Sequence, residues 1–500
     1  MDKKVTIVIP TKNRYDALAL TLYSLLKQTY KKWDIIIIDN SDHDHRKDVR
    51  EHHLLSQILD LIIKDDHQWF LFYNEGEGPQ SGHKIGLEAS KTEYIWRIDD
   101  DEIAEPNVLE KMVETMESDK KIGAVAPLVL LPNSETLDHV PWMAGKIGWA
   151  DFCIQNYKCS FDKLIEVEHL HSSFIYRRDV ANDIDGFFQG LSRVGHREET
   201  DFSYRMHSAG YKLLVDTSLE IMHLRMPSGG IRSNNPNHDL WLADDRLFWE
   251  RVRSVNQDKI FVPMVCGIGD IIASTSMLRG LQKKNPDKEI VLGVERYMTN
   301  LFGYTCWNVD IVKKLSNKSS TPYHLGGNDR HITDAWCELY GVENDHKLEV
   351  RDMPDDIYTK TYKPKTVFLF TESKFAYKHW ARDRWDDVIK HLENKGYDVI
   401  EFPPLRHNIL DMFTMVKNCS FFITVDSWAG HAGNAVGKKG IVLWGETNPK
   451  HFGYDSNINI EKTMHNPDVQ WTINDALTKE KMLQIEVADV IKAIEEIESD

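Results

Sequence analysis

The run Tyr94-Ile95-Trp96-Arg97-Ile98-Asp99-Asp100-Asp101-Glu102 sets three consecutive carboxylates at the end of an apolar segment. The apolar residues predict a buried strand, and Glu105-Pro106 shortly afterwards predicts a loop entering a new helix. Adjacent like charges repel, so folding alone does not favour them there. A hard divalent cation such as Mg2+ or Mn2+ reverses that sign, because it prefers carboxylate oxygens. A cation held this way is well placed to neutralise a diphosphate leaving group. For an isolated Asp-Asp-Asp a solvated acidic turn is the commoner explanation; the flanking sequence decides against it.

Five hundred residues exceed what one hydrophobic core organises, so two or three domains are expected. Hydrophobic and aromatic shares of 41% and 10% are those of an ordinary folded chain. No apolar run approaches bilayer-spanning length, and the apolar stretch within Met1–Pro10 is too short for a signal peptide. Contact with a membrane would therefore be peripheral. Cysteines 153, 159, 266, 306, 337 and 419 lack metal-ligand spacing and fit reduced thiols in a cytoplasmic protein. A net charge of −17 counts against broad binding to nucleic acid. Local basic clusters at Arg177-Arg178 and Lys378–Arg384 leave a restricted basic groove open.

Strand-like runs alternate with amphipathic helical stretches throughout, which predicts α/β architecture. In the first half, strands are expected at Val5–Ile9, Trp33–Ile38 and Tyr94–Ile98, with helices at Tyr15–Gln28, Ile85–Ala89 and Val108–Met116. A charged helix around Asp244–Arg253 precedes a fresh strand, Lys259–Pro263, and the glycine turn Gly267-Ile268-Gly269-Asp270. That restart places a domain boundary near residue 256, giving domains 1–255 and 256–500. A Pro-, Asp- and Lys-rich break at 352–365 divides the second into subdomains of about 256–360 and 361–500.

Pro10-Thr11-Lys12-Asn13-Arg14 closes the first strand, and Asp39 closes the second. Ligands bind at such strand ends in open α/β sheets. Further on, Gly195-His196-Arg197-Glu198-Glu199-Thr200-Asp201 precedes Phe202-Ser203-Tyr204-Arg205, and His223 follows an apolar run. Together with the acidic triplet, these segments resemble glycosyltransferase family 2, the inverting GT-A group, over about residues 4–230. The resemblance implies a Rossmann-like GT-A domain. Pro10, Thr11, Asn13 and Arg14 would face the donor, Asp39 the base, and Asp99 and Asp101 the metal and diphosphate. Glu199 falls at the position of the general base, and His223 at that of a third metal ligand. Where the family usually has Ala-Arg-Asn-x-Gly, this chain has Gly82-His83-Lys84-Ile85-Gly86, leaving His83 and Lys84 as phosphate or ribose contacts. The glycine- and proline-containing stretch Met226–His238, with Arg232, reads as a loop over the donor. Trp142 and Trp149 could stack on an acceptor or simply pack.

In the second half, Gly267–Asp270 opens a helix, a potential anion site. Val425-Asp426-Ser427-Trp428-Ala429-Gly430-His431 is a strand, a polar turn and a helix start; Gly445-Glu446-Thr447-Asn448-Pro449 ends a later strand. With Lys378-His379-Trp380, this set resembles glycosyltransferase family 9, the GT-B heptosyltransferases, over about residues 259–495. The resemblance implies a compact pair of Rossmann-type subdomains that needs no metal. Asp270 would be the base, and Lys378, Ser427, Gly430 and His431 would contact the donor diphosphate. Trp428 replaces the family's glycine, and the segment from Lys259 to Asp352 is short for an acceptor-binding half.

Three functions follow as expectations. The first is a two-domain glycosyltransferase using nucleotide-sugar donors, Mn2+- or Mg2+-dependent in its first domain only, and extending a glycan or glycolipid acceptor such as a surface polysaccharide or lipopolysaccharide core. The second keeps the first activity alone and makes the C-terminal domain a binding or scaffold module. The third is glycosylation of a hydroxylated DNA base, as in some viral enzymes.

Overall fold

The computed structural model describes residues 3–41, 48–74, 78–226, 238–299, 303–323, 330–350, 365–373, 375–402, 409–462 and 480–499. The chain forms two compact units, Met1–Asn256 and Gln257–Asp500. The expected break over 352–365 lies, apart from Lys365, outside the described residues; so does the loop segment 227–237 with Arg232.

The first unit begins with β1 (Val5–Thr11), α1 (Tyr15–Leu26), β2 (Trp33–Asp39), α2 (His53–Lys64), β3 (Trp69–Tyr73), α3 (Pro79–Ala89) and β4 (Tyr94–Arg97). It continues through β5 (Glu102–Ala104), α4 (Val108–Ser118), β6 (Ile122–Leu130), β7 (Thr136–Leu137), β8 (Lys158–Cys159), β9 (Leu164–Val167) and β10 (Phe174–Arg177). Helices α5 (Arg178–Asp183) and α6 (Glu198–Ser208), strand β11 (Lys212–His223) and helix α7 (His238–Val255) complete it. The main sheet has nine strands in the order β3-β2-β1-β4-β10-β6-β11-β5, with β9 alongside β11.

Strands β1, β2 and β4 are apolar almost throughout because helices cover both faces of the sheet. On one face α1, α2 and α4 contribute Leu18, Leu22, Leu55, Ile62 and Met112; on the other Leu87, Val180, Phe202 and Met206 come from α3, α5 and α6. In α2 the buried Leu55, Ile58, Leu59 and Ile62 recur at helical spacing. The helix expected at Ile85–Ala89 is the end of α3, which starts at Pro79, where a missing N–H costs nothing. β1 pairs in parallel with β2 on one side and β4 on the other. The sheet order reverses there, which opens a crevice at the carboxyl ends of these strands. At the far edge β3 pairs only with β2 among the described residues, and Phe70, Phe72 and Tyr73 on it are exposed.

The second unit contains β12 (Lys259–Pro263), α8 (Ile268–Ala273), α9 (Thr275–Lys284), β13 (Glu289–Val294), β14 (Thr305–Asn308), α10 (Val309–Leu315) and α11 (Ile332–Tyr340). It goes on through β15 (Thr366–Phe370), α12 (Arg382–Asn394), β16 (Asp398–Glu401), α13 (Ile409–Asn418), β17 (Phe421–Val425), α14 (Trp428–Ala435), β18 (Gly440–Leu443), α15 (Pro449–Phe452), β19 (Ile458–Ile460) and α16 (Val487–Ser499). Two all-parallel sheets result, β12-β13-β14 and β16-β15-β17-β18-β19. One core joins them: Val262, Ile272 and Leu292 from the smaller half pack in the same cluster as Phe368, Phe422 and Val442. Gly269 lies inside the first turn of α8 rather than in a preceding turn. A Cβ there would sit 2.6 Å from the His431 ring, so α8 and α14 meet as closely as they do only because residue 269 is glycine.

Candidate active site

β4 delivers its acidic end to the crevice beside β1. Asp99, Asp101 and His223 offer one ligand atom each, all within 4.8 Å of one another. His223 arrives from the end of β11, whose antiparallel pairing with β5 sets it opposite Glu102. Its Nε2 lies 3.3 Å from Asp101 Oδ1, and the backbone N–H of Leu224 donates to the Asp101 carbonyl at 2.8 Å. Two carboxylates and an imidazole converging in this way form a donor set suited to Mn2+ or Mg2+.

The middle carboxylate has a different role. Asp100 is buried, accepting from the Thr11 hydroxyl at 2.7 Å and from the Arg14 guanidinium at 3.2 Å. Arg14 also donates to Asp101 Oδ2 at 3.1 Å. Thr11 and Arg14, expected to face a donor, thus support the acidic strand end. Burial pushes Asp100 up to about 7 against the pull of Arg14. Glu102 is fully buried, and burial together with the Asp99 charge raises its carboxyl. For His223 burial acts downward. The hydrogen bond to Asp101 and the Glu102 and Asp99 carboxylates outweigh it and lift the imidazole to about 9.

Asp39, at the end of β2, is buried; it accepts the Tyr15 hydroxyl at 2.8 Å and the Ser41 N–H at 2.9 Å. Asn13 adopts a left-handed conformation (φ 56°) and donates its N–H to Ser41 Oγ at 3.0 Å. Pro10 lies under α3, close to Gly82. Lys84 forms an ion pair with Glu88 one turn along α3. His83 is buried, its ring stacked on Phe187 at 5.3 Å, and burial holds it well below the usual histidine range.

The two glutamates at the start of α6 differ sharply. Glu198 is buried and bound two-pronged by Arg97, with contacts of 2.9 and 2.6 Å. Burial pushes the Glu198 carboxyl up, and the guanidinium opposes it. Glu199, the next residue, is only partly buried. Both it and Asp99 act electrostatically on the Arg97–Glu198 pair. Asp201 ties α6 to α7, accepting from Arg205 Nε at 2.9 Å and Arg251 Nε at 2.7 Å. From α7, buried Asp244 accepts the N–H and hydroxyl of Ser192 at 2.7 and 2.8 Å and the His196 N–H at 3.0 Å. Trp149 is buried, whereas Trp142 is 45% exposed and meets it edge-on at 5.2 Å.

Arg97, Glu102, Tyr15 and Asp244 escaped the sequence-based site. Arg97 did leave a signal: a charged residue in a strand buried on both faces needs a buried partner.

In the second unit, Asp270 accepts the Gly267 N–H at 3.1 Å and the Tyr323 hydroxyl at 2.5 Å. Burial raises its carboxyl despite both contacts. Lys378 pairs with Asp426 at 2.5 Å, and this lysine and aspartate both act electrostatically on Asp270. Ser427 caps α14, accepting the Ala429 N–H at 3.3 Å; Gly430 lies in the first turn of that helix. His431 is buried against Tyr454, whose hydroxyl lies 2.6 Å from Nδ1, and burial lowers it to about 4.

Residues 6–185 match the family described as Glycosyl transferase family 2. An uncharacterized glycosyltransferase of Rickettsia bellii is 30% identical over 122 residues, covering 24% of this chain and 16% of that protein. Glycosyltransferase GlyG of Streptococcus pneumoniae serotype 4 is 27% identical over 127 residues, 25% of this chain and 39% of that protein. The chain thus spans well under half the length of these two relatives. Among solved structures, that of S. aureus TarS is similar over 50% of this chain and 39% of that one, at 15% identity and a TM-score of 0.36. The family match and the glycosyltransferase relatives mark the first unit as carrying a glycosyltransferase domain. No helix among the described residues is long and apolar enough to cross a membrane.

Proposed function

We propose that the first unit transfers a glycosyl group, with inversion, from a nucleoside-diphosphate sugar to an acceptor hydroxyl. The observation carrying this reading is the convergence of Asp99, Asp101 and His223 at a strand end within the segment matched to glycosyl transferase family 2. A divalent ion bound there would offset the charge of the departing diphosphate. Glu199 takes the acceptor proton as the hydroxyl oxygen attacks the anomeric carbon, and the bond from that carbon to the diphosphate breaks with its electron pair leaving on oxygen. Glu198 is unsuited to this step because its carboxylate is spent on Arg97. Asp39 holds Tyr15 and Ser41 at the end of β2, where the nucleotide base would lie. Thr11 and Arg14 hold Asp100 and Asp101 in place.

For the second unit, the same proposal extends to a metal-independent transfer with Asp270 as base and Lys378, Ser427, Gly430 and His431 around a donor diphosphate. Supporting it is the grouping of buried Asp426 with half-buried Lys378 and Asp270, with His431 packed directly against the first turn of α8, which carries Asp270. The two activities would act in succession on one glycan.

A panel of nucleotide sugars, with and without Mn2+, read by thermal shift identifies donors, since a ligand that binds only the folded state raises its stability. Glu199→Gln is expected to abolish the Mn2+-dependent transfer while keeping the Mn2+-induced shift. Asp270→Asn is expected to remove a second, Mn2+-independent transfer. If Glu199→Gln removes all transfer and Asp270→Asn none, the second unit is a binding module.

A further inference from the structure

The Arg97–Glu198 pair takes no part in the chemistry above, yet it joins the two segments that chemistry must hold in register. Arg97 precedes Asp99 by two residues at the end of β4, and Glu198 immediately precedes Glu199 at the start of α6. Their side chains are 3% and 4% exposed. The guanidinium also rests against the rings of Phe174 and Phe187, 5.2 and 5.9 Å from the centroids.

A buried ion pair is a poor way to stabilise a fold, because desolvation cancels much of the attraction and a well-packed apolar pair does as well. A planar fork on a carboxylate does fix distance and direction. At the entry into α6 it adds to the hold of Asp244 on Ser192 and His196. Gly195 and Arg197 both take left-handed conformations (φ 61° and 68°), and no side chain caps the helix at Arg197.

We propose that Arg97 and Glu198 are positioning residues, a brace that sets the separation between the acidic strand end and the base Glu199. The proposal rests on the glycosyl-transfer reading of the first unit.

Three variants of the full chain test it. Glu198→Gln turns an amide N–H toward a guanidinium N–H and breaks one prong at constant volume. Arg97→Lys keeps the charge and one contact. Arg97→Met combined with Glu198→Leu replaces the pair by apolar packing. For each, kcat and donor KM are measured together with the thermal midpoint and its shift on adding Mn2+.

The expected result for Glu198→Gln and the double variant is a fall in kcat of about 100-fold, with donor KM and the Mn2+ shift within about twofold of the parent. Arg97→Lys should fall between these and the parent. A double variant that melts no lower than the parent separates this loss from a loss of fold. The brace is overturned if Glu198→Gln and the double variant both fold and keep kcat within about twofold of the parent. It is equally overturned if the Mn2+ shift vanishes along with kcat, because the pair would then support the metal cluster itself. A parent protein with neither Mn2+ shift nor transfer overturns the glycosyl-transfer reading, and the brace with it, before any variant is made.

Discussion

His223 is the residue on which the charge of the acidic strand end turns. Raised from 6.5 to about 9, it is an imidazolium in the metal-free protein at neutral pH, lying 3.3 Å from Asp101 where a cation would otherwise sit. A group whose pKa is higher in the folded chain stabilises that chain fully below its unfolded value and loses the effect as pH rises through the folded one. Metal-free protein should therefore lose thermal stability between pH 6.5 and about 9, while Asp100, raised from 3.8 to about 7, adds an earlier loss between those two values. Mn2+ affinity should run the other way, strengthening with pH until His223 is neutral, because a ligand must shed its proton to bind. Calorimetric titrations across that range check both trends, and His223→Gln should flatten the rise in affinity. The acidic triplet stood out in the sequence because adjacent like charges repel, but Asp99 and Asp101 were singled out within it through the resemblance. His223 was legible only through the resemblance, since a lone histidine after an apolar run carries no mark of the strand pairing that brings it to Asp101. Glu199 was preferred to Glu198 through the resemblance, and burial and Arg97 set Glu198 apart from it.

Among the elements, α7 shows how a helix remote in sequence can shape the site. Asp244 accepts three hydrogen bonds from Ser192 and His196, on the segment leading into α6. Asp244→Ala leaves those donors unpaired in a partly buried setting, and a loss on the order of 2 kcal/mol is expected. Urea unfolding should show it in the transition that Mn2+ stabilises, with kcat reduced and the Mn2+ shift retained. Strands β1, β2 and β4 could be read from sequence because burial on both faces leaves unbroken apolar runs. β3 lacked that signature, since Phe70, Phe72 and Tyr73 on it are exposed while only Trp69 and Leu71 pack against the core. The Gly267–Asp270 segment was read as a turn, whereas Ile268–Asp270 lie in α8; the meeting of Gly269 with His431 depends on two helices far apart in the chain, which no local pattern encodes.

At the scale of the whole molecule, a charged helix followed by a fresh apolar strand is the sequence's reason for expecting a boundary near residue 256, and the compact units are Met1–Asn256 and Gln257–Asp500. Fragments 1–256 and 257–500 should each unfold cooperatively when expressed alone, since each has its own core. Calorimetry of the two fragments and the full chain checks this, and Mn2+ should raise the transition of the first fragment only. The open edge at β3 has a practical consequence of its own. A strand that pairs on one side only among the described residues, with Phe70 and Phe72 exposed on it, is a template for the same strand of another molecule. Concentrated protein should accordingly self-associate edge to edge, and Phe72→Lys, a charge on a solvent-facing position, should lower the scattered light while leaving transfer unchanged.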